Sequence, residues 1–86
     1  EAFAGCQSLT SIIFPQSVYL IDSEVFRYSP SIESIYIHNP NIMFAADAFA
    51  YCNSQLTVYY YGTQQQWNEI SKHLTRCPRK VVCLVI

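Results

Sequence analysis

A repeat solenoid, in which short coils stack so that one strand of each joins a common parallel sheet, is the fold class this sequence predicts. Three observations carry the prediction. Apolar residues recur in fixed columns at a step of 23 residues. Each copy holds one short stretch rich in Ile, Val, Tyr and Thr. The composition is 51% hydrophobic and only 13% charged. A typical domain carries about a quarter charged residues, so this balance excludes a disordered chain or a charged linker.

The columns are specific. Phe3, Phe26 and Phe49 each follow a small apolar residue, Ala2, Val25 and Ala48. Three residues further on, the same step gives Cys6, Ser29 and Cys52. It then gives Ile12, Ile35 and Val58, followed by Phe14, Ile37 and Tyr60. A leucine slot holds Leu9 and Ile32 and slips by one residue to Leu56 in the third copy, leaving Gln55 on the expected position. Residues 11–14, 34–37 and 57–60 read as strands because β-branched and aromatic side chains pack well on a pleated, half-buried surface.

Alternation along a strand then sorts the side chains. Ile12, Phe14, Ile35, Ile37, Val58 and Tyr60 point inward; Ser11, Ile13, Ser34, Tyr36, Thr57 and Tyr59 point outward. Pro15 ends the first strand, and Asn39-Pro40-Asn41 breaks the chain after the second. The return segments carry apolar pairs of their own, Val18 with Ile21 and Ile42 with Phe44. A strand of four residues cannot bury itself, whereas stacked coils share one interior. The expected architecture has a parallel sheet on its concave face, with short irregular or helical returns behind it.

The motifs carry a family resemblance. Ala2-Phe3-Ala4-Gly5-Cys6-Gln7-Ser8-Leu9-Thr10-Ser11-Ile12 and Phe14-Pro15-Gln16-Ser17-Val18 resemble the BspA-type leucine-rich repeat, approximately AF-x-x-C-x-x-L-x-x-I-x-(I/F)-P-x-x-V-x-x-I. The resemblance covers residues 1 to about 61. The second copy departs from it, with Tyr28-Ser29-Pro30 in the turn and His38 where proline is expected. Val58-Tyr59-Tyr60-Tyr61-Gly62-Thr63, then Gln66-Trp67-Asn68-Glu69-Ile70, is similar to the segment that often closes such arrays. The resemblance implies a non-catalytic interaction scaffold, common on surface proteins of bacteria and protists, and hence an extracellular or cell-surface location. It names no ligand.

Two regions follow. Residues 1–62 read as about three 23-residue repeats of an array whose earlier members are expected to precede Glu1. Residues 63–86 read as a C-terminal cap that breaks the period. Thr63 suits a helix N-cap, and Trp67, Ile70 and Leu74 fall on one helical face, which predicts a helix over about 64–74. Pro78 forbids more helix. The apolar run at the end predicts a strand over about 80–86, buried on both faces. Trp67 and Ile70 would cover the end of the interior. The first strand would be an open edge through which the chain could self-associate.

Several chemistries find little support. The four cysteines include no Cys-x-x-Cys and share no ligand spacing with His38 or His73, so no metal site or cofactor is expected. Cys6 and Cys52 share a column two coils apart, roughly 10 Å at the spacing of parallel strands and beyond disulfide reach. Both read as small buried thiols. Cys77 and Cys83 either bridge across Pro78 or serve as separate cap residues, with the latter favoured. No nucleophile elbow and no glycine-rich phosphate loop exist, so no catalytic residue is expected. A formal net charge of −1 gives no field to gather nucleic acid. Lys72, Arg76, Arg79 and Lys80, with His73, form either an anion patch or a solvated surface balancing Glu69. The longest apolar run, Val81 to Ile86, is six residues, far short of the roughly 20 that span a bilayer.

The outward ladder is the most informative feature. The 23-residue step aligns Ile13, Tyr36 and Tyr59 in one row and Pro15, His38 and Tyr61 in the next, beside the hydroxyls of Ser34 and Thr57. Such a strip serves either as a contact surface, since tyrosine is favoured at interfaces, or as a cross-strand brace of the sheet. The candidate binding residues are therefore Ile13, Tyr36, Tyr59, His38, Tyr61, Ser34 and Thr57, facing a protein partner, host or extracellular. A structural spacer with activity elsewhere in the parent chain, or carbohydrate binding by the tyrosine strip, are the competing expectations.

Overall fold

In the computed structural model, residues 10–27 and 29–85 are described. Expectations for Phe3, Cys6, Leu9, Tyr28 and Ile86 fall outside those residues. The three expected strands form where alternation placed them: β1 is Ser11–Phe14, β3 Ser34–Ile37 and β5 Thr57–Tyr60. They pair in parallel, Ser11 opposite Ser34 and Ser34 opposite Thr57, so the sequence step of 23 is also the pairing register. A fourth strand, β6 (Lys80–Cys83), joins β5 with Thr57 opposite Lys80. The strand order is β1-β3-β5-β6. The chain therefore keeps its period through the last strand, contrary to the expected break; only the return before it differs.

Behind this sheet lies a second, two-stranded one that the sequence reading did not predict. β2 (Leu20–Ile21) pairs in parallel with β4 (Met43–Phe44). Between β2 and β3 a single helical turn, α1 (Glu24–Arg27), is started by Asp22, whose carboxylate accepts from the Glu24 amide at 3.0 Å. The turns that follow use asparagine in the same way. The Asn39 side chain accepts from the Asn41 amide at 2.9 Å and that of Asn53 from Gln55 at 2.8 Å. These side chains imitate a backbone turn and fix where each coil reverses.

The interior sits between the two sheets. All six residues assigned inward are at most 3% exposed. Ile21, Ile32, Ile42, Phe44 and Leu56 join them, so the slipped leucine slot still fills the core. Phe26 and Phe49 stack in their column with ring centroids 5.4 Å apart, and Phe44 meets Phe49 edge-on at 5.1 Å. Each such side chain gains about 1.5–3 kcal/mol on full burial. The turn column behaves likewise: Ser29 and Cys52 are both buried. Among the described residues Tyr60 is the one tyrosine turned inward, and its hydroxyl donates to the Pro40 carbonyl, so it is not stranded in the core.

The helix α2 is Gln64–Ser71, three residues shorter than expected. Thr63 caps it in a capping box: its Oγ1 accepts from the Gln66 amide at 3.1 Å, and the Gln66 side chain accepts from the Thr63 amide at 2.8 Å. The helix stops because the chain beyond it is tied to the preceding coil. His73 Nε2 donates to the Phe44 carbonyl at 2.7 Å, and Thr75 donates both its amide and its hydroxyl to Ala46. Trp67 is buried edge-on against Phe44 and Tyr60, while Ile70 and Leu74 are only partly buried. β6 ends at Cys83 rather than running on, because its partner ends at Tyr60 and turns at Gly62. Nor is it buried on both faces. As an outer strand it leaves Val81, Val82 and Cys83 half-buried.

Candidate interaction surface

The face of the four-stranded sheet turned away from the core is a grid built by the register. Its first row is Ser11, Ser34, Thr57 and Lys80, and its second Ile13, Tyr36, Tyr59 and Val82. The third row follows from the bonds that continue past the strand ends. His38 donates to the Phe14 carbonyl, Tyr61 to Ile37 and Leu84 to Tyr60. That aligns Pro15, His38, Tyr61 and Leu84. The seven candidate residues thus share one face, in the two aromatic rows and the hydroxyl row beside them. Their role in binding is a separate question.

The grid has an aromatic centre and aliphatic ends. Tyr36 and Tyr59 stack with ring centroids 4.6 Å apart and planes 8° from parallel. His38 and Tyr61 stack at 4.1 Å and 18°. Parallel strands lie about 4.7–4.9 Å apart, so the sheet itself sets these separations. Ile13 closes one end of its row at 62% exposed, and Leu84 one end of its own at 46%. The tyrosines and His38 are half-buried, because each ring covers a face of its neighbour. What the grid offers a partner is ring edges, phenol hydroxyls and the aliphatic ends. No carboxylate stands in any of the three rows.

Other side chains singled out in the sequence have structural duties. Arg76 donates to the Ala50 carbonyl at 3.1 Å, Arg79 is held by the Gln55 side chain, and Lys72 pairs with Glu69 at 3.1 Å. Arg76 and Arg79 thus fasten the C-terminal segment to the coil before it, Lys72 pairs back onto α2, and only Lys80 joins the outward grid. Cys52, Cys77 and Cys83 are free thiols. Cys77 precedes β6 whereas Cys83 is its last residue, and Cys83 Sγ is 3.6 Å from the Gln64 side chain, which leaves the separate reading. Burial pushes the Cys52 thiol above its ordinary value of 9.0, against a smaller opposing pull from Arg76. Burial also raises Tyr60, with a lesser contribution from Cys83.

Among the described residues, no group of three or more His, Cys, Asp or Glu side chains could hold a metal ion. A groove between the Pro40-Asn41 turn and α2 is lined by Thr63, Gln65, Gln66, Glu69 and Ile70. Its one carboxylate, Glu69, is engaged with Lys72. Among the described residues, no helix is long and apolar enough to cross a membrane.

Two features of this surface escaped the sequence reading although the signal was present. Val82 and Leu84 stand 23 residues after Tyr59 and Tyr61, so the same step would have found the fourth rung. Tyr19-Leu20-Ile21 and Ile42-Met43-Phe44 are likewise one step apart. They build β2 and β4, and leave Tyr19, Leu20 and Met43 exposed behind the molecule.

Parallel strands stacked at a constant 23-residue register, with the Phe and Leu columns inside, define a leucine-rich-repeat protein. Residues 1–76 match the family described as BspA type leucine rich repeat region (6 copies), and the chain belongs to that family. No curated protein and no solved structure matches it. The family's repeats are in general non-catalytic interaction scaffolds, and this chain is a repeat module of that family.

Proposed function

We propose that this chain is a protein-binding part of a surface-exposed or secreted leucine-rich-repeat protein, and that it binds through the outward grid of the four-stranded sheet. In this reading residues 1–62 are solenoid coils whose grid is the concave side, and residues 63–86 close the interior behind it with α2. The observation that carries the proposal is the paired aromatic stack, Tyr36 on Tyr59 and His38 on Tyr61, flanked by exposed Ile13 and Leu84. Exposed apolar strips with tyrosine at their centre favour contact surfaces. The absence of carboxylates from the rows favours a partner surface that is apolar with hydrogen-bond acceptors. Adhesion to a host or extracellular protein fits this chemistry and the family's usual setting.

The carbohydrate reading loses its basis. Sugars stack on open aromatic faces, and here the ring faces cover one another. A purely structural spacer remains the competing reading, and the test separates the two. A random peptide library displayed on phage is selected on the immobilised chain. The expected binders lose affinity about thirtyfold, the effect of one lost hot spot near 2 kcal/mol, on Tyr36→Leu/Tyr59→Leu and on Ile13→Glu. Ile13→Glu is informative because that side chain is exposed and leaves the stack untouched. Binders indifferent to both variants, or no binders at all, would reject the grid as the recognition surface.

A further inference from the structure

Among the residue types in the outward grid, histidine alone changes charge between about pH 5 and 8, and the grid holds one, His38. Its place is fixed by the sheet. The His38 amide donates to the Phe14 carbonyl at 3.0 Å, and its ring stacks 4.1 Å from that of Tyr61. The stack occupies one face of the imidazole but neither nitrogen. Among the described residues no buried side-chain nitrogen or oxygen lacks a partner. The two ring nitrogens of His38, which bond to none of those residues, therefore reach water.

Nothing charged stands near the ring. Its row neighbours are Pro15 from the end of β1 and Tyr61 and Leu84 on the other side, and the row before it holds Ile13, Tyr36, Tyr59 and Val82. The turns that leave β1, β3 and β5 run Gln16-Ser17, Asn39-Pro40 and Gly62-Thr63, all uncharged. Phenols titrate far above neutral pH. The one charged side chain of the grid is Lys80, two strands away in the first row and of the same sign as an imidazolium.

The two exposed apolar ends of the grid, Ile13 and Leu84, lie in different rows at opposite edges of the sheet. A partner that touches both must cross the aromatic centre and cover the His38 ring edge. Water leaves both nitrogens when it does. For the neutral ring this costs ordinary hydrogen bonds; for the imidazolium it strips an ion, with no carboxylate in the grid to replace the water. The Tyr61 face attracts the imidazolium before and after docking alike, so that attraction cancels.

We infer that the grid takes its partner with His38 neutral, so that acidification releases the partner. The inference rests on the binding role proposed for the grid and specifies it: the partner surface over His38 is uncharged. The sign follows from linkage. Docking favours the form with one proton fewer, so affinity is full above the ordinary imidazole range and is lost as the pH falls through it. A site that admits only the neutral form of a group titrating near pH 6.5 loses about tenfold in affinity between about pH 7.5 and about pH 5.5.

The test selects peptides on the immobilised chain at about pH 7.5 from a phage library without histidine or cysteine. The binders are remade with both ends blocked, so that they bring no titration of their own into this range. Those weakened by Ile13→Glu are measured by calorimetry at both pH values, with circular dichroism to confirm that the chain is folded at each. The dissociation constant should rise about tenfold in acid. His38→Gln should bind with the same affinity at both pH values. His73→Gln should keep the tenfold change, because His73 is tied to the Phe44 carbonyl of the second sheet. Where His38→Gln fails to fold or bind, proton NMR of the unaltered chain decides: the titration of the His38 ring should move to lower pH in the complex. Peptides that need Ile13 but bind equally at both pH values, or more tightly in acid, overturn the inference and leave the grid reading standing. A pH effect that survives His38→Gln, or a His38 titration unmoved by the peptide, overturns it too. Peptides indifferent to Ile13→Glu remove the grid reading and this inference together.

Discussion

Replacing Tyr36 and Tyr59 with leucine, singly and together, should reveal a coupling that neither replacement shows alone. Their rings lie 4.6 Å apart and 8° from parallel, and each is half-buried by the other. An aromatic pair in such contact contributes about 0.5–1.5 kcal/mol beyond the area it buries. Either single change removes that contribution entirely. The double change should therefore cost less than the two singles combined, by about 1 kcal/mol. Leucine keeps an apolar side chain beside Ile13 and Val82, so the cycle cancels differences in strand propensity and isolates the stack. Urea unfolding at 25 °C measures the free energies. For a domain of this size, each kcal/mol also appears as a shift of about 4–8 °C in melting temperature. Additivity within about 0.3 kcal/mol would refute the reasoning, because rings that do not touch cannot couple. The same coupling means that the aromatic strip braces the sheet, so a tyrosine pair cannot be removed from the grid without some loss of stability.

Gly62→Ala should destabilise the fold by about 1–3 kcal/mol, the usual cost of overpacking, in the same urea assay. A Cβ there would meet the buried Tyr60 ring at 2.5 Å and the Gln66 side chain at 2.9 Å. Thr63→Ala should cost about 1 kcal/mol, since it deletes the oxygen that accepts from the Gln66 amide. A thermal melt without change would mean that the capping box does not hold α2. Stability should be level across neutral pH and fall as the pH rises through the ordinary thiol value of 9.0 and tyrosine value of 10.0. Burial raises Cys52 and Tyr60 in the folded chain, which therefore keeps protons that the unfolded chain gives up, and the unfolded state gains. Urea midpoints measured from neutral to alkaline pH check the sign, and Tyr60→Phe should flatten the upper part of the decline.

The strand positions and the inward set were legible because one rule, alternation within a 23-residue step, decides both. Ile35, Ile37 and Val58 are sealed where that rule placed them. The same rule would have reached Val82 and Leu84, but the helical pattern of Trp67 and Ile70 masked a period that the strands still obey. The second sheet was hidden for another reason. Two-residue strands such as Leu20–Ile21 are too short for alternation to show, and only pairing with Met43–Phe44 makes them strands. The length of α2 was not legible either, because its end is set by contacts of His73 and Thr75 with carbonyls 29 residues earlier. The grid could be located from columns alone. That its rings would cover each other, leaving edges rather than faces, depends on the strand spacing and the side-chain rotamers together.

Nuclear Overhauser contacts across the sheet test the parallel 23-residue register most directly. The account predicts contacts that advance together along both chains: Ile13 with Tyr36, Tyr36 with Tyr59, Tyr59 with Val82, and the Ile37 α-proton with the Tyr61 amide. Contacts that run in opposite senses, such as Ser34 with Tyr60 and Ile37 with Thr57, would contradict it and dissolve the grid with it.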